Sequence, residues 1–135
     1  MVQSQIRRSF LFTFFLLTSL YSAYSQSFAG FGGNISNSGS RNFYNASVTG
    51  LSGGINTSYG LFGVSVNIAH TAAGDLDIFI ISPDNTVVEL SSGNGGANKN
   101  YDNCLFTNQS SNKISNAKAP FNGSFKPEGS LGVLN

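Results

Sequence analysis

One stretch of the chain, residues 64–90, constrains the possible folds more than any other. Apolar side chains alternate with small or polar ones over 64–68, which is the period of a half-buried β-strand. A second strand, predicted over 75–81, is apolar on both faces, and such a strand is normally central in its sheet and covered on both sides. The Ser-Pro-Asp-Asn run at 82–85 predicts a β-turn, because proline presets φ and the last two residues tolerate the remaining dihedrals. A third strand over 87–90 would complete a three-stranded antiparallel meander.

The rest of the chain extends this all-β pattern. The chain has 135 residues and no internal repeat, so it is at most one domain. No long helical pattern follows residue 25, and turn residues are abundant. Further strands are predicted at 43–51, 101–106 and 121–125. The fold class is therefore predicted to be an antiparallel β-sandwich. The net charge is only +1, and the sequence contains no cluster of basic residues. Both observations argue against nucleic acid as a partner.

The N-terminus has the pattern of a Sec-type signal peptide. Arg7 and Arg8 precede an apolar run over 10–20, and Ala23-Tyr24-Ser25 supplies small residues at the −3 and −1 positions of a cleavage site. Cleavage is predicted after Ser25, which would make the protein secreted or displayed at the cell surface. The alternative is a membrane anchor, but a spanning helix needs about 20 apolar residues and this run is shorter. No membrane association is therefore expected after cleavage.

The Gly/Ser/Asn-rich residues 26–40 predict a flexible linker, and the folded domain is predicted to occupy 41–135. The single cysteine, Cys104, cannot form an internal disulfide in an oxidising compartment and is expected to be a small buried residue of its strand. The only histidine, His70, is expected to stabilise the turn after the first strand. A catalytic role would require an adjacent nucleophile and an orienting acid.

Several short blocks in this chain resemble the P domain (P/Homo B domain). That domain follows the subtilisin-like catalytic domain in kexin and furin-type proprotein convertases, and it also occurs in secreted bacterial proteins. In order, the blocks are His70–Asp77, Ile81–Thr86, Leu90–Gly96, Asn100–Asn103, Ala119–Phe125 and Lys126–Leu131. The resemblance covers about residues 43–134.

The resemblance implies a jelly-roll-like, galactose-binding-like sandwich. Two departures from the family pattern stand out. Phe106-Thr107-Asn108 occupies the place of a Phe-Asp-Asp, and the Trp-containing strand that follows the Pro-Glu-Gly block in the family is missing. The domain is therefore expected to be C-terminally incomplete, without its last strands.

Acidic residues at the predicted hairpin suggest a calcium site. Asp75 and Asp77 are two apart on a predicted strand edge, so their carboxylates would point the same way, and Ca²⁺ takes six to eight oxygen ligands. The acidic positions of the resembling family suggest further ligands, namely Asp102, Asn103, Asn108 and Glu128. The alternative is that these side chains only cap turns at the end of the hairpin.

The resemblance implies a non-catalytic role beside a neighbouring subtilisin/kexin-like serine endopeptidase domain, which the P domain would stabilise or modulate. In such proteases the catalytic triad lies in the preceding domain, so no peptidase activity is expected from this chain alone. The alternative function is a stand-alone surface-binding or adhesion module of a secreted protein.

Overall fold

The computed structural model describes residues 25–36, 38–51, 55 and 59–135. The chain divides into two units, the first ending at Ala46 and the second running from Ser47 to Asn135. The predicted signal peptide lies outside the described residues except for Ser25, so its prediction stands untested. Within the described part of the chain, no helix is both long enough and apolar enough to cross a membrane.

The described residues of the first unit include one close backbone contact. Gly30 and Ala46 form an isolated antiparallel bridge, and a Cβ added at Gly30 would lie 2.5 Å from the Asn45 carbonyl oxygen. The Tyr44 hydroxyl donates a hydrogen bond of 2.8 Å to the carbonyl oxygen of Asn34. The prediction of a strand over 43–51 is wrong, because the described residues of that range form only this single bridge. The alternation of apolar and polar residues over 43–51 is not accompanied by pairing with another strand among the described residues.

The second unit contains five β-strands, and its described residues form no α-helix. Among the described residues, two 3₁₀ helices lie between strands, at Ala73–Asp75 and Ile114–Asn116, and a third follows the last strand, at Leu131–Leu134. The strands are β1 (Val64–Ile68), β2 (Asp77–Ile81), β3 (Val87–Ser92), β4 (Tyr101–Phe106) and β5 (Phe121–Phe125). One sheet has the order β1-β4-β5, and the other pairs β2 with β3. The predicted all-β sandwich is confirmed.

The strand pairing differs from the predicted antiparallel arrangement in two ways. β1 does not pair with β2 but lies antiparallel to β4, with Val64 opposite Phe106. β5 runs parallel to β4, with Tyr101 opposite Phe121, where an antiparallel sheet was expected. The connection over 107–120 explains the second difference, since parallel neighbours need a crossover of a dozen or more residues.

The core lies between the two sheets and is dominated by aromatic side chains. Tyr101, Phe106 and Phe121 are fully buried, and the ring centroids of Tyr101 and Phe121 are 4.7 Å apart. Ile114 is also fully buried, which anchors the polar loop between β4 and β5. Cys104 is fully buried, as predicted, and burial raises the pKa of its thiol to about 12.

The β2–β3 hairpin closes with the predicted turn. The Asn85 N–H donates to the Ser82 carbonyl at 2.9 Å, and Asn85 adopts a φ of 66°, a left-handed conformation that asparagine tolerates. Asp84 accepts hydrogen bonds from the Ser82 hydroxyl and the Thr86 N–H, and these bonds lower the pKa of its carboxyl.

The prediction that the second strand is central and covered on both faces is wrong. β2 pairs only with β3 among the described residues, and Phe79 and Ile81 remain 41% and 40% exposed. Only the face that carries Ile78 and Ile80 turns towards the core, and both of these residues are half-buried. β2 therefore carries more apolar side chains than the described residues of this domain bury.

Candidate functional site

The loop that leads into the hairpin is held by the single histidine. Nδ1 of His70 lies 2.7 Å from the Ala72 carbonyl oxygen, to which an Nδ1–H would donate. The His70 N–H donates to the Asn100 side-chain oxygen at 3.1 Å, and the Asn100 N–H donates back to the His70 carbonyl at 3.2 Å. These contacts confirm the turn-stabilising role predicted for His70.

Two loops meet backbone to backbone at the start of the hairpin. The Gly74 N–H donates to the Gly96 carbonyl at 2.9 Å, and the Ala73 N–H donates to the Asn98 carbonyl. A Cβ added at Gly74 would lie 2.9 Å from backbone atoms of Gly96, which is closer than real Cβ contacts. Gly74 is therefore required for this approach, and Asp75 follows it as an exposed residue.

The predicted metal ligands are distributed over several elements. Asp75 ends a 3₁₀ helix while Asp77 begins β2, so the two aspartates do not share a strand as the sequence suggested. Asp102 and Asn103 lie on β4, in the other sheet, and the Asn103 N–H donates to the Asn67 side chain at 2.6 Å.

Asn108 and Glu128 border the same cavity, which has a volume of about 270 Å³ and is also lined by Lys126. The Asn108 side chain is already engaged, because its oxygen accepts from the Leu131 N–H at 3.2 Å and its nitrogen donates to the Ser130 hydroxyl at 3.3 Å. A lysine beside these two residues disfavours a second cation in that cavity.

Asp77 and Glu128 are brought together through Ser92. Asp77 lies opposite Ser92 in the hairpin, and the Ser92 N–H donates to Glu128 Oε2 at 2.6 Å. The Ser92 hydroxyl oxygen is buried and has no hydrogen-bond partner among the described residues. Ser92 lies opposite Asp77 and binds Glu128 through its N–H, so its orphaned hydroxyl is the part of this region that best fits a hard cation.

These three side chains supply fewer oxygens than the six to eight that Ca²⁺ takes, so backbone carbonyls and water would have to complete the shell. Consistent with this, the described residues contain no group of three or more His, Cys, Asp or Glu side chains placed to hold an ion.

A polar network that sequence reasoning missed extends from Glu128 into the core. Asn94 Nδ2 donates to Glu128 Oε2 and to the Ser91 hydroxyl, at 3.0 Å each. The hydroxyls of Ser91 and Tyr101 are also 3.0 Å apart and join the two sheets. Burial raises the pKa of Tyr101, and the negative charges of Glu128 and Asp77 add to that rise while the Ser91 hydrogen bond opposes it.

The network was hidden from sequence analysis by a β-bulge. The register shifts between Ile78 and Phe79, so that Leu90 and Ser91 are both buried although they are consecutive. A pattern of strict alternation places one of two adjacent residues outside, and it therefore gave no reason to single out Ser91.

The family model described as proprotein convertase P-domain matches residues 61–124. This range contains the hairpin, Asp75, Asp77 and the first four strands, while Glu128 lies just beyond it. No curated protein and no solved structure matches the chain.

Proposed function

We propose that this protein is a secreted accessory module of a subtilisin/kexin-like serine endopeptidase, because residues 61–124 match the family model described as proprotein convertase P-domain. The P domain is a non-catalytic part of proprotein convertases and normally sits beside a protease domain. In this role the module stabilises or modulates that domain and takes no part in peptide-bond cleavage. The family match across the hairpin is the observation that carries the proposal.

The chemistry of the described residues supports a structural role. His70, the residue type most often used as a general base, is engaged in its own turn. The Cys104 thiol is fully buried, and its raised pKa keeps it protonated at neutral pH, which is unfavourable for a nucleophile. A polar network from Tyr101 to Glu128 joins the two sheets and holds the end of the hairpin in place.

The proposal is tested with a subtilisin-like catalytic domain encoded beside this protein's reading frame. The catalytic domain is produced with and without this protein, and its activity half-life and melting temperature are measured. An unrelated secreted β-sandwich of similar size serves as the control. We expect a longer half-life only with this protein. An unchanged half-life together with neighbouring adhesin repeats would favour the stand-alone adhesion module.

Secretion is tested separately, because it depends on residues 1–25. The protein is expressed from its full reading frame, and the intact mass is measured in the cell and in the medium. We expect the extracellular form to begin at Gln26. A cell-retained protein with the full mass would contradict the proposed secretion.

A further inference from the structure

The outward face of the β2–β3 hairpin is an exposed apolar surface. Phe79, Ile81 and Val87 are 41%, 40% and 52% exposed, whereas Val88 and Leu90 on the opposite face of β3 are almost completely buried. Ile81 lies directly opposite Val87, so their side chains adjoin on the same face. This set of residues, Phe79, Ile81 and Val87, is called the outer hairpin face below.

The same hairpin has one open edge. The outer edge of β3 is covered, because the N–H groups of Glu128 and Gly129 donate to the carbonyls of Leu90 and Glu89. The described residues provide no strand on the other side of β2. An apolar strand with an unpaired edge is a template for the addition of another strand.

The backbone groups of β2 that point to this edge follow from the ladder pattern. The Ser82 N–H donates to the Thr86 carbonyl, which makes these two residues a hydrogen-bonded pair. Because such pairs alternate along an antiparallel ladder, Ile80 also points towards β3. The N–H and C=O groups of Phe79 and Ile81 therefore point to the open edge.

The charged residues of the hairpin region itself are all negative. Residues 75–92 contain four carboxylates and no lysine or arginine. Glu89 lies opposite Phe79, and Asp77 precedes Phe79 by two residues on the exposed side of β2. The Phe79 ring is thus flanked on one face by two carboxylates, with Ile81 and Val87 beyond it.

We propose that the open edge of β2 binds an extended polypeptide segment of another protein that carries an arginine two positions from an apolar residue. The segment adds to β2 as a third strand. Its guanidinium lies over the Phe79 ring between Asp77 and Glu89, and its apolar side chains cover Ile81 and Val87. Arginine fits because its planar cation both stacks on an aromatic face and pairs with carboxylates. This inference does not depend on the proposed accessory role.

The experiment is a peptide titration of the purified protein, with chelator present so that a cation at Asp77 does not interfere. The probe is a capped heptapeptide, Thr-Arg-Thr-Val-Thr-Val-Thr, which places one arginine and two valines on the same face. One control peptide has glutamate in place of arginine. A second control is N-methylated at alternate residues, which blocks strand pairing along one edge. Binding is followed by calorimetry and by NMR shifts of the β2 amides, in about 50 mM salt where charge contacts are weakly screened.

We expect the probe to bind and to shift the amides of Phe79 and Ile81, and each control peptide to bind about tenfold more weakly. Phe79→Ser should weaken binding of the probe about tenfold. The double variant Asp77→Asn, Glu89→Gln should remove the difference between the arginine and glutamate peptides. Val133→Ser is the matched control, since Val133 is 60% exposed on a different element, and it should leave binding unchanged.

Three results would overturn the proposal. Equal affinity for the arginine and glutamate peptides would remove the charge argument. Slow hydrogen exchange of the Phe79 and Ile81 amides in the protein alone would show that its own chain already covers the edge. Sedimentation as a dimer that Phe79→Ser dissociates would make a second copy the occupant. Because the double variant retains Phe79, it still tests the proposal in the event that Phe79→Ser fails to fold.

Discussion

At the scale of single residues, burial of one thiol makes stability depend on pH. The pKa of Cys104 is raised from 9.0 to about 12 by burial. Between these values the unfolded chain loses the proton while the folded chain keeps it, so the folded form is disfavoured as pH rises. The stability contribution of the protonated thiol is fully present below pH 9 and is lost as pH rises from about 9 to about 12.

We therefore expect the free energy of unfolding to fall more steeply with pH above 9 in the wild-type protein than in Cys104→Ala. The difference in slope should approach about 1.4 kcal/mol per pH unit. Urea denaturation at pH 8, 9, 10 and 10.5 measures it, and all other titrating groups cancel in the comparison. Parallel curves for the two proteins would show that the thiol ionises equally in both states.

Calcium binding is the second prediction at the scale of residues, and the structure indicates which carboxylates would take part in it. Asp77 lies opposite Ser92, and Glu128 accepts from the Ser92 N–H, whereas Asp102 lies on the other sheet. If Ca²⁺ binds only the folded protein, it adds about 2.7 kcal/mol at a hundredfold excess over its Kd. We expect millimolar Ca²⁺ to raise the melting temperature, and Mg²⁺ to do so much less because it demands a smaller octahedral shell.

The matched variants are Asp77→Asn and Asp102→Asn. The first should abolish the calcium effect while costing little in chelator, because it relieves repulsion between Asp77 and the neighbouring acids. The second should keep the effect. Melting curves that coincide in calcium and in chelator would leave these carboxylates with the turn-capping and network roles alone.

At the scale of elements, the close approach of the 73–75 and 95–98 loops predicts a large effect from adding one methyl group at Gly74. Gly74 faces the backbone of Gly96, and backbone cannot move aside as the end of a flexible side chain can. Gly74→Ala should therefore destabilise the protein by about 2 kcal/mol or more, as expected for overpacking. Gly132→Ala is the control, because the nearest atom to its Cβ would be the Ser130 hydroxyl at 3.4 Å.

The measurement is chemical denaturation of both glycine variants. Gly132→Ala should change the free energy of unfolding by less than about 0.5 kcal/mol. Equal effects of the two substitutions would mean that the 73–75 and 95–98 loops can separate at little cost. In that case the loop approach would not be what positions Asp75 and Asp77.

At the scale of the whole molecule, Tyr101 links the two sheets. Its hydroxyl contacts Ser91 on β3, and its ring packs on Phe121 of β5 within its own sheet. We expect residues 47–135 to unfold in one cooperative step. Phe121→Leu should lower the free energy of unfolding by about 1 to 2 kcal/mol, because Phe121 is fully buried and leucine leaves part of its volume empty. Phe79→Leu, at an exposed position, should cost less than about 0.5 kcal/mol.

Tyrosine fluorescence and far-ultraviolet circular dichroism measure this unfolding independently. Coincident transitions in both proteins are expected for two sheets on one core. Separate transitions would show that the β2–β3 hairpin unfolds on its own, which would also weaken the case for a fixed outer hairpin face.

Local features of the fold could be predicted from the sequence because they depend on neighbouring residues. The alternation over 64–68 marks β1, the Ser82–Asn85 turn closes the hairpin, and both have the predicted geometry. The burial of Cys104 and the turn contact of His70 also follow from their immediate surroundings. The resemblance of the short blocks to the P domain is confirmed over residues 61–124.

Partner choice was decided only by tertiary structure. A period of two reports which side chains share a face, but not which strand lies alongside. The pairing of β1 with β4 and the parallel approach of β5 therefore could not be derived from local pattern. For the same reason the sequence could not show that Phe79 and Ile81 stay exposed, because both faces of β2 are equally apolar.

The site depends even more on long-range packing. Glu128 reaches Ser92 and Asn94 across 36 and 34 residues, and the bulge at Leu90 turns Ser91 towards Tyr101. The sequence determined that these residues are polar and lie in or beside strands. Their convergence required two sheets to pack on each other, since only that packing removes water from between them and makes each buried hydroxyl dependent on a protein partner.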